Sequence, residues 1–118
     1  MTEVATAVER RKARLEQELA RVVDVLIREY HPLQIIVFGS IARDQVHEWS
    51  DIDLAIIKET DKRFLDRIGE VLELTRSPVG LDVVVYNPQE FRQMLADGNY
   101  FVSEEILARG KTVYGPIS

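Results

Sequence analysis

The sequence predicts a small α+β domain, α/β-like in its element order, with helices packed on a mixed β-sheet. Three observations carry this. An apolar periodicity of helical type fills the first quarter of the chain. Short runs rich in Ile, Val and Leu follow, and segments of helical pattern separate them. The 118 residues suit a single domain with one core, residues 1–118.

The elements follow in order. Leu15, Leu19, Val22, Val23, Leu26 and Ile27 recur at helical spacing, with Arg10, Arg11, Arg14, Glu18, Arg21 and Arg28 on the other side. That pattern predicts an amphipathic helix over about residues 5–30 with a solvated charged stripe. His31-Pro32 ends it, because a residue before proline avoids the helical region. Residues 33–38 read as a buried strand and 40–44 as a short helix after Gly39. Residues 51–57 form a second strand, and Phe64, Leu65, Ile68, Val71, Leu72 and Thr75 trace a helix over about 61–76. Ser77-Pro78-Val79-Gly80 is a turn, and the valine-rich segment 81–86 is a third strand. Asn87-Pro88-Gln89-Glu90 is a helix start: a capping residue, proline in the first turn, and Glu three residues after the cap. That helix runs to about Ala96, and Asp97-Gly98 breaks it. A last helix covers about 100–109 with Gly110 capping its end, and 112–114 adds an edge strand. The plan is thus an N-terminal helix, a core over about 33–90, and C-terminal helices over about 88–110.

Composition narrows the chemistry. Apolar residues make up 46% of the chain, as in globular proteins. No apolar run approaches the ~20 residues of a membrane span, and the charged first residues lack the apolar core of a secretory signal. Both features point to a cytoplasmic protein. With no cysteine and only His31 and His47, thiolate zinc sites, cysteine nucleophiles and histidine-rich metal sites are excluded. A net charge of −5 argues against an extensive nucleic-acid footprint, but leaves room for a nucleotide held locally.

Within FGSIARDQVHEWSDIDLAII, residues 38–57, two carboxylates stand one residue apart at a strand. Side chains alternate across a strand, so Asp51 and Asp53 point one way and Ile52 the other. Like charges so close repel unless a cation lies between them. Asp82, in the third strand, joins them on one face if the second and third strands are neighbours. Three carboxylates can hold two metal ions roughly 3.5–4 Å apart, and hard oxygen ligands suit Mg²⁺. Gly39-Ser40, between a strand and a short helix, leaves backbone N–H groups free for phosphate oxygens, with Arg43 one turn on. Taken singly, each has a plainer reading. Asp51 ends a turn, Asp82 begins a strand, and Ser40 caps a helix.

The spacing is more specific than its parts. Gly39-Ser40, ten residues, then Asp51-x-Asp53 resembles the nucleotidyltransferase superfamily typified by DNA polymerase beta. It is most similar to the minimal stand-alone members, with Gly39, Ser40, Ala42 and Arg43 followed by Ser50, Asp51, Asp53 and Leu54. Leu81-Asp82-Val83-Val84 looks like the strand of the third carboxylate. Where the family has Gly after the Arg, this chain has Asp44, a negative charge near the phosphate site.

The resemblance implies a polymerase beta-like fold and transfer of a nucleoside monophosphate, AMP from ATP or another NTP, to an acceptor hydroxyl. It implies Asp51, Asp53 and Asp82 as catalytic metal ligands for two Mg²⁺ ions, with Mn²⁺ as a substitute. Gly39, Ser40, Arg43 and Ser50 fall at the nucleotide-binding positions. About 30 residues follow the third strand, so the acceptor is expected on a partner. The minimal members resemble antitoxins that add AMP to a tyrosine of small helical HEPN toxins, which implies such a partner and a homo- or hetero-oligomer. The alternatives are a non-catalytic protein that neutralises a partner by contact, and an enzyme acting on a small molecule or an RNA end. Trp49, Tyr100, Phe101 and Tyr114 are candidate interface aromatics, although a domain this small is expected to take its aromatics inside.

Overall fold

The computed structural model describes residues 6–116. Helix α1, Ala7–Glu29, starts at Thr6, whose hydroxyl accepts the Glu9 N–H while the Glu9 side chain returns to the Thr6 N–H, a capping box. It ends where His31 turns left-handed at φ 54° ahead of Pro32, its N–H donating to the Leu26 carbonyl. Strand β1, Gln34–Phe38, leads into the four-residue α2, Gly39–Ala42. Strand β2 is Ile52–Ile57, helix α3 is Phe64–Thr75, strand β3 is Leu81–Tyr86 and helix α4 is Pro88–Ala96. Helix α5, Phe101–Ala108, is wound as a π-helix, and strand β4, Lys111–Tyr114, closes the order.

The strands lie in the order β3-β2-β1-β4. β1 runs antiparallel to β2 and to β4, while β2 and β3 are parallel, joined by α3. The sheet is therefore mixed. Alternation sorts its side chains into two cores. Ile35, Val37, Ile52, Leu54, Ile56, Val83 and Val85 face α1 and α3, meeting Leu15, Val22, Leu26 and Val71. Ile36, Phe38, Ala55, Ile57 and Tyr86 face α4 and α5, meeting Val102 and Ile106. Leu15, Val22 and Leu26 are fully buried, and burying each contributes about 1.5–3 kcal/mol, which fixes α1 against the sheet.

The Asn87 capping box of α4 is as predicted, with Asn87 Oδ1 accepting the Glu90 N–H at 2.8 Å and Glu90 returning to the Asn87 N–H at 2.8 Å. Other expectations are corrected. Helix α3 starts at Phe64 rather than near 61 because Thr60 Oγ1 accepts the Lys62 N–H in a local turn. The last helix is π-wound, and Gly110 does not enter the left-handed region. A Cβ at Gly110 would instead strike the Ile106 carbonyl and Ile36. Trp49, Tyr100, Phe101 and Tyr114 lie at the surface, with Trp49 78% and Tyr100 64% exposed. No described helix is long and apolar enough to cross a membrane.

The charged stripe of α1 is not all solvated. Glu18 is buried and receives Arg21 through two bonds of 2.8 and 2.7 Å and Ser77 Oγ at 2.6 Å. Arg21 continues to the Thr75 carbonyl at 2.6 Å. This network ties α1 to the end of α3 and the turn that feeds β3.

A second polar tie lies at the far end of the sheet. Arg67 is buried, donating to the carbonyls of Lys62 at 2.7 Å and Val85 at 3.1 Å and to Glu90 at 2.6 Å. Arg67→Met is expected to lower unfolding free energy by about 1–3 kcal/mol, because it takes this donor from the Val85 carbonyl and the charged partner from half-exposed Glu90. Urea denaturation followed by circular dichroism checks this.

Candidate active site

The β2–β3 register sets Asp53 directly beside Asp82, and the β1–β2 register sets Phe38, the residue before Gly39, opposite Asp53. The C-terminal end of β1 and the N-terminal ends of β2 and β3 therefore meet at one end of the sheet. Alternation puts Asp53 and Asp82 on the face that α4 and α5 cover. Asp53 is half-buried and Asp82 exposed.

Burial pushes the Asp53 carboxyl up to about 6, reinforced by the charges of Asp82 and Asp51 and by hydrogen bonding with Asp82, while Arg43 opposes the rise. Desolvation acts first, and the like charges nearby add to it.

Gly39 is required by the same geometry. Its φ is +72°, and a Cβ there would overlap the Asp53 carboxylate. The glycine thus brings backbone against the acid, and the first N–H groups of α2 have no acceptor within that short helix. Ser40 follows in α2. Arg43, at the end of α2, reaches Glu105 of α5 at 3.9 Å. Asp44 has φ 53°, which explains why a glycine is at home there. Its carboxylate points outward to Lys12 at 3.1 Å.

Asp51 and Ser50 are placed differently. β2 begins at Ile52, one residue later than predicted, so Asp51 sits on the entering loop. Its carboxylate lies against Gly80, where a Cβ would overlap it, and takes Arg11 Nη2 at 3.4 Å. Ser50 is buried, its hydroxyl accepting the His47 N–H at 2.8 Å and its carbonyl accepting Arg11 Nε at 2.9 Å. The Ser50 hydroxyl therefore closes the 47–50 turn. Arg11 is the residue that sequence reasoning missed. Its place in the charged stripe hid it, and nothing local to α1 says that it crosses to residue 51.

The donor set is all carboxylate oxygen, the chemistry that a hard divalent cation prefers. Asp53 and Asp82 are adjacent and aimed the same way, whereas Asp51 is engaged by Arg11. Among the described residues no three acids or histidines are already grouped around a single point. A cavity of about 420 Å³ lined by Phe64, Tyr86, Gln89, Glu90, Gln93 and Met94 lies at the opposite end of β3. Its one ionisable carboxylate, Glu90, is held by Arg67.

The site is thus a pair of acids beside a glycine turn at one end of a mixed sheet. The family model described as polymerase beta nucleotidyltransferase matches residues 20–116, and the chain belongs to that family. Solved structures share the fold. A protein classed as a nucleotidyltransferase from Sulfolobus solfataricus is 20% identical with TM-score 0.61, covering 79% of this chain and 85% of that one. A mutant of the toxin-antitoxin MntA-HpeT is 20% identical with TM-score 0.55, covering 83% of this chain and 72% of that one. A toxin-antitoxin with AMP-PNP is 18% identical with TM-score 0.54, covering 82% and 73%. No curated protein matches.

Two outcomes follow from this geometry. Gly39→Ala is expected to cost at least about 1–2 kcal/mol from its left-handed φ alone, with further loss from overlap with Asp53; thermal unfolding measures it. Asp53→Asn is expected to stabilise the cation-free protein at pH 7. The raised carboxyl of Asp53 favours the folded state most below pH 4, and that contribution is lost as pH rises through about 6. Discounted for partial exposure, the gain of the Asn variant is about 1–2 kcal/mol at pH 7 and nil near pH 4. A pH series of denaturation curves reads both ends.

Proposed function

We propose that this chain transfers AMP from ATP to a hydroxyl on a helical partner protein of HEPN type, and so acts as the antitoxin of a toxin–antitoxin pair. The observation that carries the chemistry is the side-by-side placement of Asp53 and Asp82 next to the Gly39 turn. The partner reading draws support from the two toxin-antitoxin structures that share the fold, one of them with AMP-PNP.

The chain's own residues divide the work. The Gly39-Ser40 turn brings backbone N–H groups and a hydroxyl toward the β- and γ-phosphates, and Arg43 adds a planar charged fork. Asp82, the most exposed of the three acids, faces an incoming acceptor and takes its proton. The acceptor oxygen then bonds to the α-phosphorus, the bond from that phosphorus to the bridging oxygen breaks, and pyrophosphate leaves. Mg²⁺ held by Asp51, Asp53 and Asp82 would supply the charge neutralisation that this transfer needs. Catalysis is then positioning and electrostatics.

The experiment mixes purified protein, α-labelled ATP, Mg²⁺ and a candidate HEPN partner, and follows label onto that partner. Labelling is expected with the wild type and at least about 100-fold less with Asp53→Asn. A stable complex in which the partner is silenced without label would favour neutralisation by contact. Arg43→Ala is expected to weaken binding of ATP far more than of AMP, as read by calorimetry; equal losses would remove Arg43 from the β- and γ-phosphates.

A further inference from the structure

Asp51 is held from the direction of α1, an element that lies outside the catalytic motif. Arg11 places Nε 2.9 Å from the Ser50 carbonyl and Nη2 3.4 Å from Asp51 Oδ1. The two bonds are unequal. The grip on the Ser50 backbone is short, while the grip on the carboxylate is long and made by one nitrogen, not the paired fork that binds a carboxylate most firmly. Arg11 is itself fixed, one turn ahead of fully buried Leu15 on a helix capped at Thr6. Asp51 keeps 46% of its side chain exposed, so a cation can reach it from solvent.

From this we propose that Arg11 is a positioning residue that serves as a built-in counter-ion for Asp51. It pivots on the Ser50 carbonyl, occupies Asp51 Oδ1 while no cation is present, and yields that oxygen when one arrives. The arrangement accounts for the absence of a ready three-acid group among the described residues although Asp53 and Asp82 are already paired. It also offsets part of the repulsion among three acids in the cation-free protein. The inference rests on the reading of Asp51 as a cation ligand.

Binding of Mn²⁺ without nucleotide, measured by calorimetry or electron paramagnetic resonance, tests it. Arg11→Gln is expected to bind Mn²⁺ about three- to tenfold more tightly than wild type, since a competing charge is gone. Arg11→Lys keeps the charge and is expected to stay within about twofold of wild type. In an Asp51→Asn background, the Arg11→Gln change is expected to have less than about a twofold effect. Unchanged or weaker binding by folded Arg11→Gln, with the wild type binding normally, overturns the inference and leaves Arg11 as a brace for the loop. If the wild type binds no Mn²⁺, the reading of the acids as a cation site falls first, and the inference with it. A measurement on the wild type alone covers the case in which the variant does not fold. Saturating Mg²⁺ is expected to free the hindered rotation of the Arg11 guanidinium seen in its nitrogen resonances; rotation that stays hindered refutes release.

Discussion

The site depends on one constraint: the parallel pairing of β2 with β3 forces two carboxylates into neighbouring positions. Ile52, Leu54, Ile56, Val83 and Val85 are buried on the far face of those strands. A one-residue slip would turn Asp53 and Asp82 into that core and move its valines to the α4–α5 face, so the register is held by apolar burial. The repulsion between Asp53 and Asp82 is thus imposed by the hydrophobic effect acting on their neighbours. Burial raises the Asp53 carboxyl most, and the charge of Asp82 adds to it.

Everything near the acids relates to that concentration of charge. Gly39 gives up a side chain so that backbone can lie against Asp53. Gly80 does the same for Asp51. Arg43 and Arg11 approach from opposite elements, one from α2 and one from α1, and each has another carboxylate or carbonyl to hold as well. Lys12 draws Asp44 outward, away from Asp53 and Asp82, while the residue takes a left-handed backbone at φ 53°.

Local patterns made the secondary structure legible. Periods of 3.6 and 2, the Asn87 capping box and the turn at Ser77-Pro78 all act within a few residues, so the sequence displays them directly. The meeting of Asp53 with Asp82 was legible in the sequence. Asp53 stands in a strand that should want only apolar residues, and Asp82 repeats the anomaly. What was hidden is what depends on distant pairing. Arg11 reads as one charge among six in a stripe, and only the packing of α1 beside residue 50 gives it a partner. The same holds for Glu18, whose burial depends on Ser77. The π-winding of α5 left no mark, because its residues fit an ordinary helix equally well. Of the aromatics, Tyr30, Phe38 and Tyr86 enter the cores, and aliphatic side chains fill most of the rest, which leaves Trp49, Tyr100, Phe101 and Tyr114 at the surface.

The most direct test of the central claim needs neither nucleotide nor partner. Carbon NMR of the aspartate carboxyls, followed against pH without divalent cations, reads the coupling between the two strands. Asp53 is expected to titrate near pH 6 in the wild type, and Asp82→Asn to move it part of the way down toward the usual carboxylate range, since burial remains. An Asp53 titration indifferent to residue 82 would contradict it, since the two acids would then not share a site.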